Sequence, residues 1–210
     1  MFAKGSEALL LISATLAIIP MFFIPQSLYV LIPFVFFVIV TAFLMYFFRD
    51  PKRSTPEGEG IIVSPAEGKI REIIEEEDGS TRIQIELSVF NVHVNRAPID
   101  CKIVNLTREK GAHWPVWFKG HFATKNARLH FDLETNEGFS FRVTQISGIF
   151  AWRCVSYVDI GQKVKRNEKI GIIRFGSAAN VILPKECGYK PTIKTGDVIR
   201  AGETIIAQKK

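Results

Sequence analysis

Gly161-Gln162-Lys163-Val164-Lys165-Arg166-Asn167-Glu168-Lys169-Ile170 and Gly196-Asp197-Val198-Ile199-Arg200-Ala201-Gly202-Glu203-Thr204-Ile205 follow one pattern, G-x-x-V/I-x-x-x-E-x-I. Each copy reads as a tight turn between two short strands. Upstream, an alternating period recurs in short runs punctuated by Gly and Pro: Gly60-Ile61-Ile62-Val63, Gly68-Lys69-Ile70, Arg82-Ile83-Gln84-Ile85-Glu86-Leu87 and Phe139-Ser140-Phe141-Arg142-Val143. A period of two belongs to strands with one buried face, so the chain beyond Pro51 is predicted to be mostly β.

Before Pro51 that period is lost. From Ala8 to Phe48, 41 consecutive residues carry no Asp, Glu, Lys or Arg, and 9 of the 17 Phe lie in residues 1–48. A bilayer core about 30 Å thick needs about 20 apolar helical residues. Ala8–Ile24 and Leu28–Phe48 supply two such lengths around Pro25-Gln26-Ser27, which predicts a transmembrane or re-entrant helical hairpin, with Pro20 and Pro33 kinking its helices. No small-residue cleavage site separates the apolar runs, which disfavours a removed signal peptide. Lys4 at one end and Arg49, Lys52 and Arg53 at the other put both ends in the cytoplasm by the positive-inside rule. The expected organisation is a membrane anchor over 1–48 and a β-rich domain over 49–210 on the cytoplasmic side of the cell membrane. All of the net charge of +6 sits on that second part, 26 basic and 20 acidic groups in 162 residues. The excess suits an anionic membrane surface rather than nucleic acid.

Cys101, Cys154 and Cys187 are odd in number and lack a CxxC, so neither a disulfide framework nor a zinc ribbon is indicated, and a reducing compartment is expected. His113, His121 and His130 are irregularly spaced. They give no zinc signature, no metal is expected, and surface or aromatic-packing roles are assigned to them.

The paired hairpins look like the barrel-sandwich architecture of biotinyl and lipoyl carrier domains. The modifiable Lys that those domains carry at a hairpin tip has no match between the two copies, where Arg174-Phe175-Gly176-Ser177-Ala178-Ala179-Asn180-Val181-Ile182-Leu183-Pro184 stands instead. A membrane-tethered, non-catalytic carrier or adaptor is the alternative reading, and it leaves that segment unexplained. A Gly-Ser pair alone is a turn. Here it interrupts an otherwise apolar strand. Together with Ser64-Pro65-Ala66-Glu67-Gly68-Lys69-Ile70 and Phe90-Asn91-Val92-His93-Val94-Asn95-Arg96-Ala97-Pro98, it closely resembles the short form of phosphatidylserine decarboxylase, a self-processing pyruvoyl enzyme. The resemblance runs from Arg49-Asp50-Pro51 to about Leu183 and includes Gln145-Ile146-Ser147-Gly148-Ile149.

The resemblance implies a function and a set of roles. α-Decarboxylation of an amine leaves a carbanion, which an electron sink conjugated to the substrate nitrogen must hold; a pyruvoyl group made from the chain itself does this. Ser177 is then the nucleophile and pyruvoyl precursor, and Gly176 becomes a new carboxyl terminus, giving chains of residues 1–176 and 177–210. A serine hydroxyl needs a base, and His93 matches the family's catalytic histidine. Glu67 stands where most relatives have an Asp oriented toward that histidine, one methylene longer. Asn91 stands where some long-form relatives carry an acid, and Asn126-Ala127-Arg128 partly matches an Asn-Glu-Arg string whose other reading is a polar loop. The implied substrate is phosphatidylserine or a close serine-headed lipid, and the product phosphatidylethanolamine. Implied partners are the lipid, the membrane surface and the two cleavage fragments, with a homodimer allowed for. Trp114, Trp117 and Phe118, beside Lys119, are assigned to a second interfacial contact or to the domain core.

Overall fold

The computed structural model describes residues 1–23, 27–114, 125–148, 153–174 and 178–209. The chain divides into two compact units, Met1–Pro51 and Lys52–Lys210.

In the first unit, α1 (Glu7–Ile18) runs into a 3₁₀ turn, Ile19–Phe23, and α2 (Leu31–Phe47) follows another, Leu28–Val30. The helices pack together. Their outer ends are tied: Phe2 bridges Arg49, the Ala3 N–H donates to the Phe48 carbonyl (2.8 Å) and the Asp50 N–H to that of Met1 (2.8 Å). Leu28–Phe47 is one continuous apolar helix of 20 residues with a mean hydropathy of 2.7, about 30 Å long. Pro20 lies in the 3₁₀ turn that follows α1, and Pro33 is the third residue of α2. Ile24, Pro25 and Gln26 lie outside the described residues.

The second unit is mostly β. Its strands are β1 (Ile61–Val63), β2 (Gly68–Glu75), β3 (Thr81–Glu86), β4 (Val94–Arg96), β5 (Cys101–Glu109), β6 (Arg128–Thr135), β7 (Ser140–Ile146), β8 (Arg153–Ser156), β9 (Lys163–Val164), β10 (Lys169–Arg174), β11 (Ala178–Leu183), β12 (Tyr189–Pro191), β13 (Val198–Ile199) and β14 (Ile205–Lys209). They form sheets of order β1-β14-β12, β4-β10-β8 and β13-β2-β3-β11-β7-β6-β5-β9. Ile62, Ile70, Ile83, Ile85, Ile103, Phe131, Leu133 and Val143 form part of the buried core; β-branched residues dominate because they pack well on a pleated surface.

These sheets contain an internal two-fold repeat. Exchanging β1, β2, β3, β11, β12, β13 and β14 with β4, β5, β6, β7, β8, β9 and β10, in that order, maps one three-stranded sheet onto the other and reverses the eight-stranded sheet onto itself. The hydrogen bonds agree. Val63 N–H donates to the Pro98 carbonyl and Arg96 N–H to that of Pro65, both at 2.9 Å. Ile70 bonds Asp197 as Ile103 bonds Gln162, and Gly202 bonds Ser64 as Asn167 bonds Ala97. Both strand pairs bulge at the same place, Ile70/Glu72 and Ile103/Asn105. Pro65-Ala66-Glu67-Gly68-Lys69-Ile70 and Pro98-Ile99-Asp100-Cys101-Lys102-Ile103 are equivalent, sharing the Pro, an acid, the Lys and the Ile. The C-terminal repeats occupy matching places as well. Asn167 (φ 72°) and Gly202 (φ 74°) are equivalent left-handed turn residues, and a Cβ on Gly202 would lie 1.9 Å from the Asn167 Oδ1. The turns therefore pack directly on one another.

Gly68, next to Glu67, does not have a positive φ. It is a glycine because a Cβ there would lie 2.1 Å from the Glu86 carbonyl oxygen. Gly68→Ala must part β2 from β3, and is expected to cost about 3 kcal/mol, measured by urea denaturation in mild detergent. A wild-type midpoint would contradict this close packing.

Candidate active site

His93 ends the connection from β3 to β4 and is fully buried. Its Nδ1 lies 2.9 Å from the Asn91 carbonyl oxygen. A carbonyl only accepts, so Nδ1 carries the proton and the neutral ring has its lone pair on Nε2, the tautomer a general base needs. The backbone of His93 is tied to the strand that leads to Gly176-Ser177: the Ile173 N–H donates to the His93 carbonyl (3.2 Å). Gly176 and Ser177 themselves lie outside the described residues. Their flanks are fixed. Arg174 ends β10 opposite Arg153, and β11 begins at Ala178, between Ile146 of β7 and Glu86 of β3. Ser177 is four residues from Ile173, a span of at most about 14 Å.

Glu67 sits in the connection from β1 to β2 with its side chain 13% exposed. One carboxylate oxygen, Oε2, takes an ion pair from Arg53. The other, Oε1, accepts from the Val92 N–H (3.1 Å) and, at 3.5 Å, from the Asn91 side-chain amide. The Val92 N–H and the Asn91 carbonyl belong to one peptide group. The carboxylate thus holds one face of the peptide whose other face holds His93 Nδ1. A charged acceptor on the N–H makes the carbonyl opposite a stronger acceptor, since chained hydrogen bonds polarise one another. Where the sequence suggests an acid oriented toward the histidine, the described hydrogen bonds connect Glu67 to His93 through this peptide.

Arg53 is drawn into the same network rather than standing as a charge at the membrane flank. Its side chain is 7% exposed, and it lies 3.4 Å from Glu203 as well as against Glu67. Breaking a buried pair leaves an uncompensated charge, at about 3–5 kcal/mol. Glu67→Gln turns an amide toward Arg53, so it is expected to lower stability by about 3 kcal/mol and, if His93 serves as a base, to slow that reaction about tenfold to 100-fold. Adding Arg53→Met should restore stability but not rate. Recovery of both would reduce Glu67 to a structural partner of Arg53.

Asn91 forms the preceding turn, its Oδ1 accepting from the Ser88 N–H (2.9 Å) and hydroxyl (2.8 Å). Asn95, two residues after His93, donates to the Pro65 carbonyl (3.2 Å) and accepts from Gln145 (2.8 Å), with both amides fully buried. Nothing in the sequence places Arg53, Asn95, Gln145 or Glu203 in these buried networks. For Asn95 and Gln145 the signal available is that a polar residue interrupts an apolar strand, and buried polar groups must be paired.

Asn126 is a buried staple, not a surface loop residue. Its amide donates to the carbonyls of Trp114 (2.8 Å) and Ser147 (2.7 Å), and its oxygen accepts from the Trp114 N–H (2.8 Å). Trp114 is 39% exposed, which removes it from the core; Trp117, Phe118, Lys119 and His121 lie outside the described residues. His130 is buried in β6, with Nδ1 2.9 Å from the Thr144 hydroxyl and Nε2 3.2 Å from Glu109, so a surface role does not hold for it. His113 Nδ1 lies 3.0 Å from the Ser147 hydroxyl. The cysteines are free and buried, and burial pushes the thiols of Cys101 and Cys154 up to about 12.

The phosphatidylserine decarboxylase family profile matches residues 40–207. The chain is 41% identical over 181 residues to a phosphatidylserine decarboxylase proenzyme of Nitratidesulfovibrio vulgaris, covering 83% of this chain and 82% of that one. It is 41% identical over 175 residues to a proenzyme of the same name from Zymomonas mobilis (77% and 70% covered). A third, from Geotalea daltonii, is 40% identical over 178 residues (81% of each).

Proposed function

This chain belongs to the phosphatidylserine decarboxylase family, and from that membership we propose that it is a proenzyme that cleaves itself between Gly176 and Ser177 and then decarboxylates phosphatidylserine to phosphatidylethanolamine. The observation that carries this reading is His93: fully buried, with the base on Nε2, and bonded through its carbonyl to β10, the strand that runs into Gly176-Ser177.

The chain's own residues fit a pyruvoyl group at position 177. His93 takes the Ser177 proton as the hydroxyl attacks the Gly176 carbonyl, and Glu67 and Asn91 keep the ring in the competent tautomer. Ester elimination and hydrolysis consume one water, release one ammonia and leave two chains. Once formed, the pyruvoyl group supplies the electron sink that decarboxylation requires. His93 Nε2 is the group here that can return a proton to the substrate carbon. The two chains stay together because β11 lies between β3 and β7, while β13 pairs with β2 and β14 with β1.

The first unit is the membrane anchor in this reading, over residues 1–48, with the catalytic domain from 49 onward. Leu11, Phe22, Leu28 and Ile32 are exposed, as a lipid-facing surface requires. Ser13, Thr15 and Thr41 donate to carbonyls three or four residues back, which satisfies polar groups where no water can. Lys4 and Arg49 stand at the joined ends, which favours a cytoplasmic location for that side. The cysteines suit the same compartment.

The test is to incubate the purified protein with phosphatidylserine in mixed micelles. Phosphatidylethanolamine should appear, and pretreatment with hydroxylamine, which captures carbonyl groups, should prevent it. A carrier or adaptor domain would yield no product, and product formation indifferent to hydroxylamine would exclude the pyruvoyl group.

A further inference from the structure

A cavity of about 320 Å³ opens at the end of the eight-stranded sheet where β11 begins, lined among others by Arg108 of β5, Lys110, Arg128 of β6 and Arg153 of β8. Among the described residues, its lining holds four cations and one carboxylate, Glu109, which lies 3.2 Å from His130. Two of the guanidinium groups are positioned by backbone carbonyls: Arg108 donates to Cys154 (3.0 Å) and Arg128 to Asn126 (3.2 Å). Arg153 opens β8, opposite the end of β10, the strand that leads to position 177.

The internal repeat indicates that this charge was not inherited from the fold. The equivalent end of the other half joins β2 to β3 by a short turn over 76–80 and carries Glu75, Glu76, Glu77 and Asp78. Where one half is acidic, the other is basic. The cavity is also near the reacting position. Arg128 and Ala178 both pair with Ile146, which puts them two strand spacings apart, about 10 Å. Ser177 adjoins Ala178.

Resting on the decarboxylase reading, we propose that this cavity holds the phosphate of the lipid headgroup and so selects serine phosphodiesters over free serine. In the substrate only two carbons link the amine to the phosphate oxygen, so an anion gripped by Arg128 and Arg153 delivers the amine toward position 177. Guanidinium groups suit the task, because their planar donors match phosphate oxygens.

The test uses the full-length protein in a nonionic detergent, with calorimetric titration of glycerophosphoserine, serine and inorganic phosphate beside kinetics on phosphatidylserine. Glycerophosphoserine should bind and serine should not. Arg153→Gln should weaken that binding and raise KM about tenfold or more, whereas Arg153→Lys, which keeps the charge but not the planar fork, should lose less affinity than Gln. Equal binding by wild type and both Arg153→Gln and Arg108→Gln would overturn the proposal. Inorganic phosphate binding as tightly as glycerophosphoserine would overturn it too, as the mark of a site for any small anion. If glycerophosphoserine binds through Arg153 but no lipid is decarboxylated, the headgroup site stands and the decarboxylase reading falls.

Discussion

Replacing Ser177 by alanine is expected to leave a single chain of 210 residues, folded as the wild type and without activity on phosphatidylserine. No other hydroxyl directly follows Gly176, and without one there is no ester, no elimination and no pyruvoyl group, so the loss should be complete. Folding should survive. Ala178 onward is already held in register between β3 and β7, and β10 is held between β4 and β8. Ser177→Cys, which keeps a nucleophile, should still cleave, at an altered rate. Splitting of the alanine variant between 176 and 177 would remove Ser177 from its role.

His93→Ala is expected to slow self-cleavage by about 100-fold to 10,000-fold, the usual cost of a missing general base. Because His93 is fully buried, alanine also leaves a cavity, and a fall in rate alone would not separate catalysis from packing. His93→Asn makes the separation. Its side-chain amide can still donate to the Asn91 carbonyl as Nδ1 does, but it has no counterpart of the basic Nε2. Uncleaved precursor with a wild-type unfolding midpoint is the expected outcome for Asn, while His113→Ala cleaves normally. Cleavage of His93→Asn at the wild-type rate would mean that another group takes the serine proton.

Residue type carried the chemistry of this site, and chain direction carried its geometry. His93 and Ser177 stand out because each sits in a string of unusual residues, and the late pair of Gly-led turns announces the β architecture. The earlier half of the same repeat is hidden: Pro65–Ile70 and Pro98–Ile103 share three residues in six and an acid at a fourth, and the strand order with its reciprocal hydrogen bonds reveals the relation. Glu67 was legible as an acid near the histidine. That its hydrogen bond to the Val92 N–H reaches the ring by way of the Asn91–Val92 peptide depends on how the loop turns, which no side chain encodes. Arg53 shows the opposite failure. Read beside Arg49 and Lys52 it is one of three flanking charges, yet it folds inward because Glu67 and Glu203 supply carboxylates there.

The most direct test of self-cleavage is the intact mass of the purified protein under denaturing conditions. Two chains are predicted, residues 1–176 and a fragment of 34 residues from position 177, the second lighter by one ammonia than simple hydrolysis would leave it. Under native conditions the two should copurify. A single mass for all 210 residues, or a second fragment with an intact amino-terminal serine, would contradict the account.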